Sequence, residues 1–376
     1  MPRASDHEPL LRLLLGGVPA SILRRLLDTH GDAASALAAG PRDWASHGLD
    51  RAACLAVRAP DDAALARSLH WLEDSRHHLL GWRDEAYPPL LRRIASPPAV
   101  LFVAGDPALL WRPAVAVVGS RAATAGGRAN AATFASALAR AGLCVTSGMA
   151  AGIDAAAHQA ALDASGMTVA VLGTGPDVAY PASHRPLMAR IAAAGAVVSE
   201  HPPGTAPLRT HFPSRNRILV GLSLGVLVVE AATRSGALIT ARQAGDAGRE
   251  VFALPGSIHN PMARGCHRLI RDGAQLVETP AEVLDALAPL VSDLARALRG
   301  ALEHSIPAGA PPQAVPHPDD PDTYRLWQAL GHDPTGMDDL LARTGLTAAT
   351  VSSILLALEL EGRVAAEHGR FSRVGV

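Results

Sequence analysis

One alternation, which begins at Val115, constrains the fold more than any other feature of the sequence. Short runs of β-branched residues take turns with Ala-rich windows of helical spacing. The predicted strands are Val115–Val118, Leu143–Ser147, Thr168–Leu172, Ala196–Ser199, Val226–Val229, Val251–Leu254 and Gln275–Val277. The predicted helices are Arg128–Arg140, Ala155–Ala164, His184–Ala194, Ser214–Leu222, Ala237–Ala247 and Arg264–Arg271. Because parallel strands need crossover connections, this order predicts an extended, Rossmann-like α/β core with a doubly wound, mostly parallel sheet.

Helical segments are predicted on both sides of this core, which we place at residues 81–290. Residues 1–80 contain a Leu-rich helix, a turn at Gly16-Gly17 and a second helix. This pattern is typical of a SAM-like or helix-hairpin-helix domain, some of which bind DNA, or of a plain helical bundle. Residues 300–322 are rich in Pro and Ala and predict a linker. Residues 323–376 predict three helices and a hairpin around His368-Gly369, which is a winged-helix-like layout.

The winged-helix-like domain lacks the charge expected of a protein that reads duplex DNA. Its third helical window, Thr347–Leu360, contains no Arg, and Glu359 and Glu361 stand at its end. Since duplex binding draws most of its affinity from cations against phosphate, the pattern favours a protein contact or a structural role. Three arginines of the predicted hairpin keep duplex binding open as the alternative: Arg363, Arg370 and Arg373.

Composition excludes several classes of protein. The chain is 48% apolar, which is enough for a sizeable core, and aromatic residues make up only 3%. Cys54, Cys144 and Cys266 are too few and too widely spaced for a disulfide framework or a CxxC metal site. We therefore expect no metal, and a reducing, cytoplasmic compartment. No apolar stretch reaches the ~20 residues of a membrane span, and we expect neither a signal peptide nor a membrane partner.

The distribution of charge points to an anionic partner of the core. All 34 basic residues are Arg, so a phosphate site must use guanidinium groups, which favour bidentate contacts. Between Val115 and Gln275 there are 14 Arg against 8 Asp and Glu, a balance of +6, whereas the whole chain carries −1. A basic domain within a nearly neutral chain is typical of a protein in which one domain meets an anion.

Two loops after predicted strands carry residues suited to a phosphate. Gly119, Ser120 and Arg121 follow the first strand, and Ser147 and Gly148 close the second. Ligands of open α/β sheets bind beyond the carboxyl ends of the strands. We therefore expect backbone amides, a hydroxyl and a guanidinium group to meet a phosphate there, with simple tight turns as the alternative.

The most specific segment runs from Arg209 to Arg217. It places Arg209, Arg215, Arg217 and Phe212 within nine residues at the mouth of the predicted sheet. Guanidinium groups can hold phosphates while an aromatic ring stacks on a base, a combination used on single-stranded nucleic acid. The alternative is that Phe212 belongs to the core and that the arginines pair with carboxylates.

Signals for catalysis are weak. Glu230 stands at a strand end near Arg234, which allows an acid–base pair or a structural ion pair. Asp154 is predicted to cap the helix that follows it, and Pro176 interrupts the dinucleotide-binding pattern GxGxxG. The sequence contains no Walker lysine, and no catalytic triad or metal-ligand cluster emerges from it. We therefore expect no cofactor, and the residues by themselves point to no specific reaction.

The span from Val115 to about Leu284 resembles the DprA family of DNA-processing proteins, also called Smf. The resemblance rests on seven motifs in order: VAVVGSRAATAGG, VTSGMAAGIDAAAHQAAL, VAVLGTGPDVAYP, SEHPPG, FPSRNRILVGLS, VVEAATRSGALITARQAGDAGREVFALPGSI and NPMARGCHRLIRDGAQLV. It implies a cytoplasmic, non-enzymatic protein that binds single-stranded DNA, forms homodimers and helps load the RecA recombinase during natural transformation.

The resemblance also assigns residues. The implied phosphate contacts are Gly119, Ser120, Arg121, Ser147, Gly148, Arg215 and Arg217. Ser235 and Gly236, which open the helix after the fifth predicted strand, are expected to bind phosphate or DNA as well. Phe212 falls at the position of a base-contacting aromatic, and Arg209 at a position where relatives often have Lys. The implied dimer contacts are His267, Leu269 and Ile270.

Two departures from the family pattern bear on the first loops. Ala151 and Gly126 stand where relatives often have Arg and Tyr, respectively. The chief alternative function is a nucleotide phosphoribohydrolase that resembles the LOG family. That family uses a PGGxGTxxE loop, and the comparable strand end here reads VVEAATRSGALITA, without the double glycine.

Overall fold

The computed structural model describes residues 7–305, 321–331, 335–360, 363–367 and 370–373. The chain divides into two compact units, Met1–Ala297 and Leu298–Val376, which are described separately. Most of the predicted linker, at residues 306–320, and the turn His368-Gly369 lie outside the described residues.

The first unit is built on a nine-stranded sheet. Its strands are β1 (His77–Gly81), β2 (Val100–Gly105), β3 (Ala114–Val118), β4 (Cys144–Ser147), β5 (Thr168–Val171), β6 (Ala196–Ser199), β7 (Gly225–Val228), β8 (Glu250–Ala253) and β9 (Gln275–Leu276). Their order across the sheet is β1-β2-β6-β5-β4-β3-β7-β8-β9. The seven strands from β6 to β9 in this spatial order, which include β3, β4 and β5, all pair in parallel. The predicted fold class is confirmed.

Helices connect the strands and cover the sheet. Those of the first unit are α1 (Glu8–Leu15), α2 (Ala20–His30), α3 (Ala33–Ser46), α4 (Arg51–Arg58), α5 (Asp62–Trp71), α6 (Pro89–Arg92), α7 (Ala125–Arg140), α8 (Ile153–Asp163), α9 (Arg185–Ala194), α10 (His211–Leu222), α11 (Gly236–Asp246) and α12 (Arg264–Arg271), followed by α13 (Pro280–Ser305). Within the described ranges, none of the helices is both long and apolar enough to span a membrane.

The position of β3 defines where a ligand can bind. All five residues of β3 are buried, as expected for a strand with helices on both faces. Val115 pairs with Val145 of β4 on one side and with Gly225 of β7 on the other. The chain runs from β3 to its neighbour β4 on one side, and from β7 to its neighbour β8 on the other side. The loops after β3 and β7 therefore diverge, and this is the crevice in which doubly wound sheets bind ligands.

Two strands of the sheet, β1 and β2, are not predicted from the sequence. β1 and β2 form an antiparallel pair, and β2 extends the sheet beyond β6 with Phe102 opposite Ser199. The segment His77–Gly81 has no period-2 alternation, because its last three residues are all buried. A short apolar run of this kind does not distinguish a strand from a helix.

The N-terminal helices pack against this added pair. The helix, Gly turn and second helix predicted around Gly16-Gly17 are present as α1 and α2. A Cβ atom at Gly16 would lie 2.4 Å from a Val57 side-chain carbon, so α1 and α4 approach closely there. Their core includes Leu11, Leu23 and Trp44 and continues into Phe102 of β2. The helices therefore share apolar contacts with the sheet, and a domain boundary at residue 80 stays a prediction.

The second unit has the predicted three helices and strands. They are α14 (Pro321–Ala329), α15 (Met337–Thr344) and α16 (Ala348–Leu360), with a sheet of β10 (Thr335–Gly336), β11 (Val364–Glu367) and β12 (Arg370–Arg373) in the order β10-β12-β11. Gly345 adopts φ 69° after α15 and ends that helix in a left-handed turn. The guanidinium carbons of Arg363 and Arg373 lie 4.4 Å and 4.5 Å from the ring centre of Trp327. Both arginines therefore stack on their own domain.

A buried histidine links the stability of the first unit to pH. His158 of α8 is fully buried, and its Nδ1 lies 2.7 Å from the hydroxyl of Thr168. That hydroxyl donates to the Val145 carbonyl, so Nδ1 of His158 is the donor to it. Burial lowers the pKa of His158 to about 3. His158 is therefore a neutral core residue and not a catalytic group.

This depressed pKa predicts a loss of stability in acid. The unfolded chain binds a proton at His158 near pH 6.5, whereas the folded chain does so only near pH 3, so the free energy of unfolding falls as pH drops below about 6.5. Between pH 7 and pH 5 we expect His158 to account for a loss of about 2 kcal/mol. Urea unfolding of the wild type and of His158→Gln at both pH values measures this difference. Equal pH dependence in the two proteins would contradict it.

Candidate nucleic-acid interface

A groove of about 530 Å³ opens at the carboxyl edge of the sheet, between the loops after β3 and β7 and the start of α10. It brings together most of the predicted binding residues. Those that line it are Gly119, Ser120, Arg121, Phe212, Arg215, Ser235 and Gly236. They come from three separate segments, and the crevice beside β3 is what makes them neighbours.

The exposed part of the site is a stacked cation and ring. The guanidinium carbon of Arg121 lies 5.4 Å from the ring centre of Phe212. The ring centre of Tyr180 lies 5.1 Å from that of Phe212. Arg121 is exposed, Phe212 is half-buried and Tyr180 is 43% exposed. All three line a second pocket of about 190 Å³ that adjoins the groove. Phe212 therefore lies at the edge of this pocket and not in the core alone, and its contact with a base stays a prediction.

Arg215 forms the floor of the groove. Its side chain is 5% exposed, and one guanidinium nitrogen donates to the carbonyl oxygens of Gly148 (2.7 Å) and Val171. Its Nε donates to the Asn216 side chain at 3.2 Å. Burial lowers the pKa of Arg215 to about 10, so the group stays charged at neutral pH. A Cβ atom on Gly148 would lie 1.9 Å from this guanidinium group, so only Gly leaves room for it.

Asp154 is the buried counter-charge. Burial raises its pKa, and the positive charge of Arg215 acts against that shift. One carboxylate oxygen accepts from the backbone amides of Gly148 (3.2 Å) and Ala150 (3.3 Å). The predicted role as a helix cap is wrong, because α8 is capped by Gly152 and Asp154 lies in its first turn. Asp154 instead fixes the loop that receives Arg215.

The predicted cradle of backbone amides is corrected. The amide of Ser120 donates to the Glu230 carbonyl at 2.7 Å, and that of Gly148 donates to Asp154. The hydroxyl of Ser147 is fully buried and donates to the Val117 carbonyl at 2.6 Å. These groups hold the loops in shape and are already paired, because buried polar groups need partners.

Arg217 does not join the groove. Residues two apart on a helix point about 200° away from each other, so Arg215 and Arg217 of α10 face different sides. The structure pairs Arg217 with Glu200 at the end of β6, and both side chains are mostly buried. Arg217 is therefore outside the lining of the groove, and its contact with phosphate stays a prediction.

Glu230 supports the first loop. Its carboxylate accepts hydrogen bonds from the amide and hydroxyl of Thr124, at 2.9 Å and 2.6 Å, and from Asn260 at 3.4 Å. A Cβ atom on Gly127 would lie 2.2 Å from it. Glu230 thus braces the β3–α7 loop that carries Arg121, and its hydrogen-bond partners do not include Arg234.

The remaining predicted residues lie at the rim or elsewhere. Arg209 is exposed in the loop before α10 and is outside the lining of the groove. The candidate dimer residues lie on α12. Nε2 of His267 donates to the Gly256 carbonyl oxygen at 3.0 Å, and Leu269 and Ile270 are half-buried against the main core. Their role stays a prediction.

Sequence reasoning missed two exposed side chains of the site. Arg234 lines the groove after β7, and Tyr180 lines the adjoining pocket after β5. Both residues lie in loops that follow strands at the carboxyl edge of the sheet, and that position is the sequence feature that could have identified them. Nothing in the linear sequence placed Tyr180 beside Phe212. Among the described residues, no group of three His, Cys, Asp or Glu is placed to hold a metal ion.

Comparison with known proteins agrees with this architecture. Residues 78–288 match the family described as DNA recombination-mediator protein A, and residues 310–370 match the DprA winged helix domain. The chain belongs to the DprA family. The match begins at β1, so the antiparallel pair that the sequence analysis missed is part of the family core.

Relatives and solved structures of this family cover most of the chain. Protein Smf of Escherichia coli is 43% identical over 83% of this chain and 81% of its own length. DprA of Streptococcus pneumoniae is 48% identical over 54% of this chain and 71% of its own, and its crystal structure superposes with a TM-score of 0.66 over 73% of this chain and 96% of its own. DprA of Helicobacter pylori, described with a unique single-stranded DNA binding mode, superposes with a TM-score of 0.52 at 28% identity over 57% of this chain and 96% of its own.

The buried charge under the groove predicts a large effect of a small substitution. Gly148→Ala places a methyl group where the Arg215 guanidinium lies, so the charge must leave its carbonyl partners. We expect a loss of about 3 kcal/mol or more in the free energy of unfolding, as for a buried charge that is left without its compensating partners. Gly236→Ala is the matched control, because its Cβ meets open space at the start of α11. Urea unfolding that shows equal stability for both variants would contradict the assignment.

Proposed function

We propose that this DprA-family protein binds single-stranded DNA along the carboxyl edge of its sheet without reading sequence. The observation that carries the proposal is the exposed Arg121 guanidinium stacked on Phe212, with Tyr180 next to the ring. A base can stack on exposed aromatic faces while a guanidinium group holds the neighbouring phosphate. The single-stranded DNA binding described for the relative from Helicobacter pylori supports it.

The charge of the groove favours a polyanion. Its ionisable lining consists of Arg121, Arg215 and Arg234 against Asp154 alone. Arg121 and Arg234 are exposed and can contact phosphate directly. Arg215 acts from below, where its buried charge raises the local positive potential without leaving its carbonyl partners. Arg209 at the rim is proposed as a further phosphate contact.

We propose no bond-breaking step in this groove. The carboxylate at the end of β7, Glu230, is 7% exposed and accepts hydrogen bonds from Thr124. A general acid or base must reach the reacting group, and this carboxylate is directed into the protein. This argues against the phosphoribohydrolase alternative, for which incubation with nucleoside monophosphates and detection of free base is the direct test.

Substitution at the stacked pair tests the proposal. We expect Arg121→Gln and Phe212→Leu each to weaken binding of a single-stranded oligonucleotide about tenfold at low salt. Only the Arg variant should reduce the slope of log K against log salt, by about 0.7, because only it loses a phosphate contact. Fluorescence anisotropy at two salt concentrations measures both effects.

Arg140→Gln is the matched control for this experiment. Arg140 is exposed at the far end of α7, the helix that follows the Arg121 loop. Its removal changes net charge equally but leaves the groove intact. If Arg121→Gln and Arg140→Gln bind alike, the groove is not the DNA site.

We further propose that the protein forms homodimers and helps load RecA onto single-stranded DNA in the cytoplasm, as the family resemblance implies. Two copies with aligned grooves would bind one strand with higher avidity without any new contact. Among the described residues β9 is the edge strand of the sheet and pairs with β8 alone, which supports a dimer face there. Leu276 of β9 and Ile239 of α11 are each 44% exposed, and Ile239 lines one groove together with Leu269 of α12. The candidate dimer residues His267, Leu269 and Ile270 all belong to α12.

A charged residue on this edge tests the dimer. We expect Leu276→Arg to shift the mass measured by light scattering from dimer to monomer at micromolar concentration, because an unpaired cation would enter an apolar contact. Leu55→Arg on α4, where the Leu is 58% exposed, is the control and should stay dimeric. A wild-type monomer, or a Leu276→Arg dimer, would refute this interface.

For the winged-helix domain we propose a protein contact or a structural role. Arg363 and Arg373 stack on Trp327, and Arg373 also donates to the Trp327 carbonyl oxygen. These two guanidinium groups are therefore committed to the domain itself. The proposal is supported by the absence of Arg from the sequence of α16.

A further inference from the structure

A second groove, of about 480 Å³, lies beside the first on the other side of the β4–α8 loop. Nothing in the sequence analysis singled it out. Its lining comes from α7, from the start of α8 and from the segment that leads into α9. The polar and charged side chains that line it are Arg128, Gln159, Ser183, His184 and Arg190.

The lining of this second groove contains cations and no carboxylate. Arg128 is oriented by donation to the Ala123 carbonyl at 2.6 Å, and His184 is anchored at the Met149 carbonyl at 2.9 Å. Arg190 pairs with Asp163 at 2.9 Å, which lies outside the lining. The Arg190 side chain is 49% exposed, so part of its guanidinium group remains open to a second anion.

The second groove is continuous with the proposed base-stacking pocket along two segments. Ala151 lines that pocket and Gly152, the next residue, lines the second groove. Pro181 likewise lines the pocket, and Ser183 lines the groove. A chain that leaves the Arg121–Phe212 stack over the β4–α8 loop therefore enters the second groove directly.

Other exits from the pocket are less suited to a polyanion. The groove beside α5 is lined by Arg67 and two histidines but also by Glu73, Asp74 and Asp177. Those carboxylates would repel phosphate at close range. The large groove beside β9 contains Glu250 and Asp272 and belongs to the proposed dimer face. Of these three grooves in the described part of the chain, the second groove combines continuity with the pocket and a lining free of carboxylates.

We propose that the sugar-phosphate backbone of the bound single strand continues into this second groove, where Arg128 and Arg190 contact its phosphates. The inference rests on the proposed single-stranded DNA binding and extends it to the path of the strand. Gly152 and His184, the N-cap residues of α8 and α9, both line this groove, so the two helix N-termini add to its positive potential. Short oligonucleotides that fill only the stacking pocket do not reach it.

The dependence of affinity on oligonucleotide length separates the two sites. The double variant Arg128→Gln, Arg190→Gln is titrated with oligothymidylates of about 5 and about 20 nucleotides. We expect unchanged affinity for the short strand and a loss of at least about fivefold for the long one. The salt slope for the long strand should fall by about 0.7 for each phosphate contact removed.

Ser183→Asp tests the same groove without removing a contact. Ser183 is exposed, immediately before the capping residue of α9, where an acidic side chain interacts favourably with the helix dipole. Folding is therefore preserved while the new carboxylate repels phosphate. We expect the same selective loss for the long strand, and no loss for Arg140→Gln on the far end of α7.

The outcomes distinguish this inference from the proposed function. If both groove variants bind the long strand as the wild type does, or lose short and long strands equally, the second groove is not on the path. If the wild-type protein binds neither strand, the proposed function itself is wrong. Selective loss for the long strand in both groove variants supports the path.

Discussion

The whole site depends on one buried guanidinium group. Arg215 donates to the carbonyl oxygens of Gly148 and Val171, which follow or end neighbouring strands of the sheet. It thereby ties α10 to the carboxyl edge at the point where the loops diverge. A buried charge is costly to desolvate, and the compensation here comes from carbonyl oxygens and from the carboxylate of Asp154. Because a buried guanidinium group is stable only with these partners in place, few alternative positions of α10 are possible.

The functional surface is a consequence of that anchoring. With Arg215 buried, Phe212 one helical turn earlier lies half-exposed at the rim, where Arg121 stacks on it. Glu230 and Thr124 hold the loop of Arg121 in place from the other side. In the proposed function these cations act at two depths: the buried Arg215 adds positive potential, and the exposed Arg121 and Arg234 contact phosphate. Arg215 and Arg217 are only two residues apart but differ in position, because Arg215 is buried under the groove and Arg217 pairs with Glu200.

Much of the site was accessible from the sequence once the strand ends were located. The predicted residues Arg121, Phe212 and Arg215 do converge, because parallel strands present their carboxyl ends at one edge. The amides of Ser120 and Gly148 could not be assigned correctly from the sequence. Their partners, the Glu230 carbonyl and the Asp154 carboxylate, are brought to them only by the folded structure. Arg217 differs for another reason: helical spacing turns it away from Arg215 toward Glu200.

The sequence by itself determined the order of strands and helices, the sign of the core's charge and the family. These properties depend on local periodicity and on motif spacing, which the linear chain carries. Only the tertiary structure decided that β1 and β2 join the sheet, that Tyr180 lies beside Phe212, and that the Arg128–Arg190 groove adjoins the site. Each of these depends on contacts between segments far apart in sequence, and packing, not propensity, selects among the conformations that such segments allow.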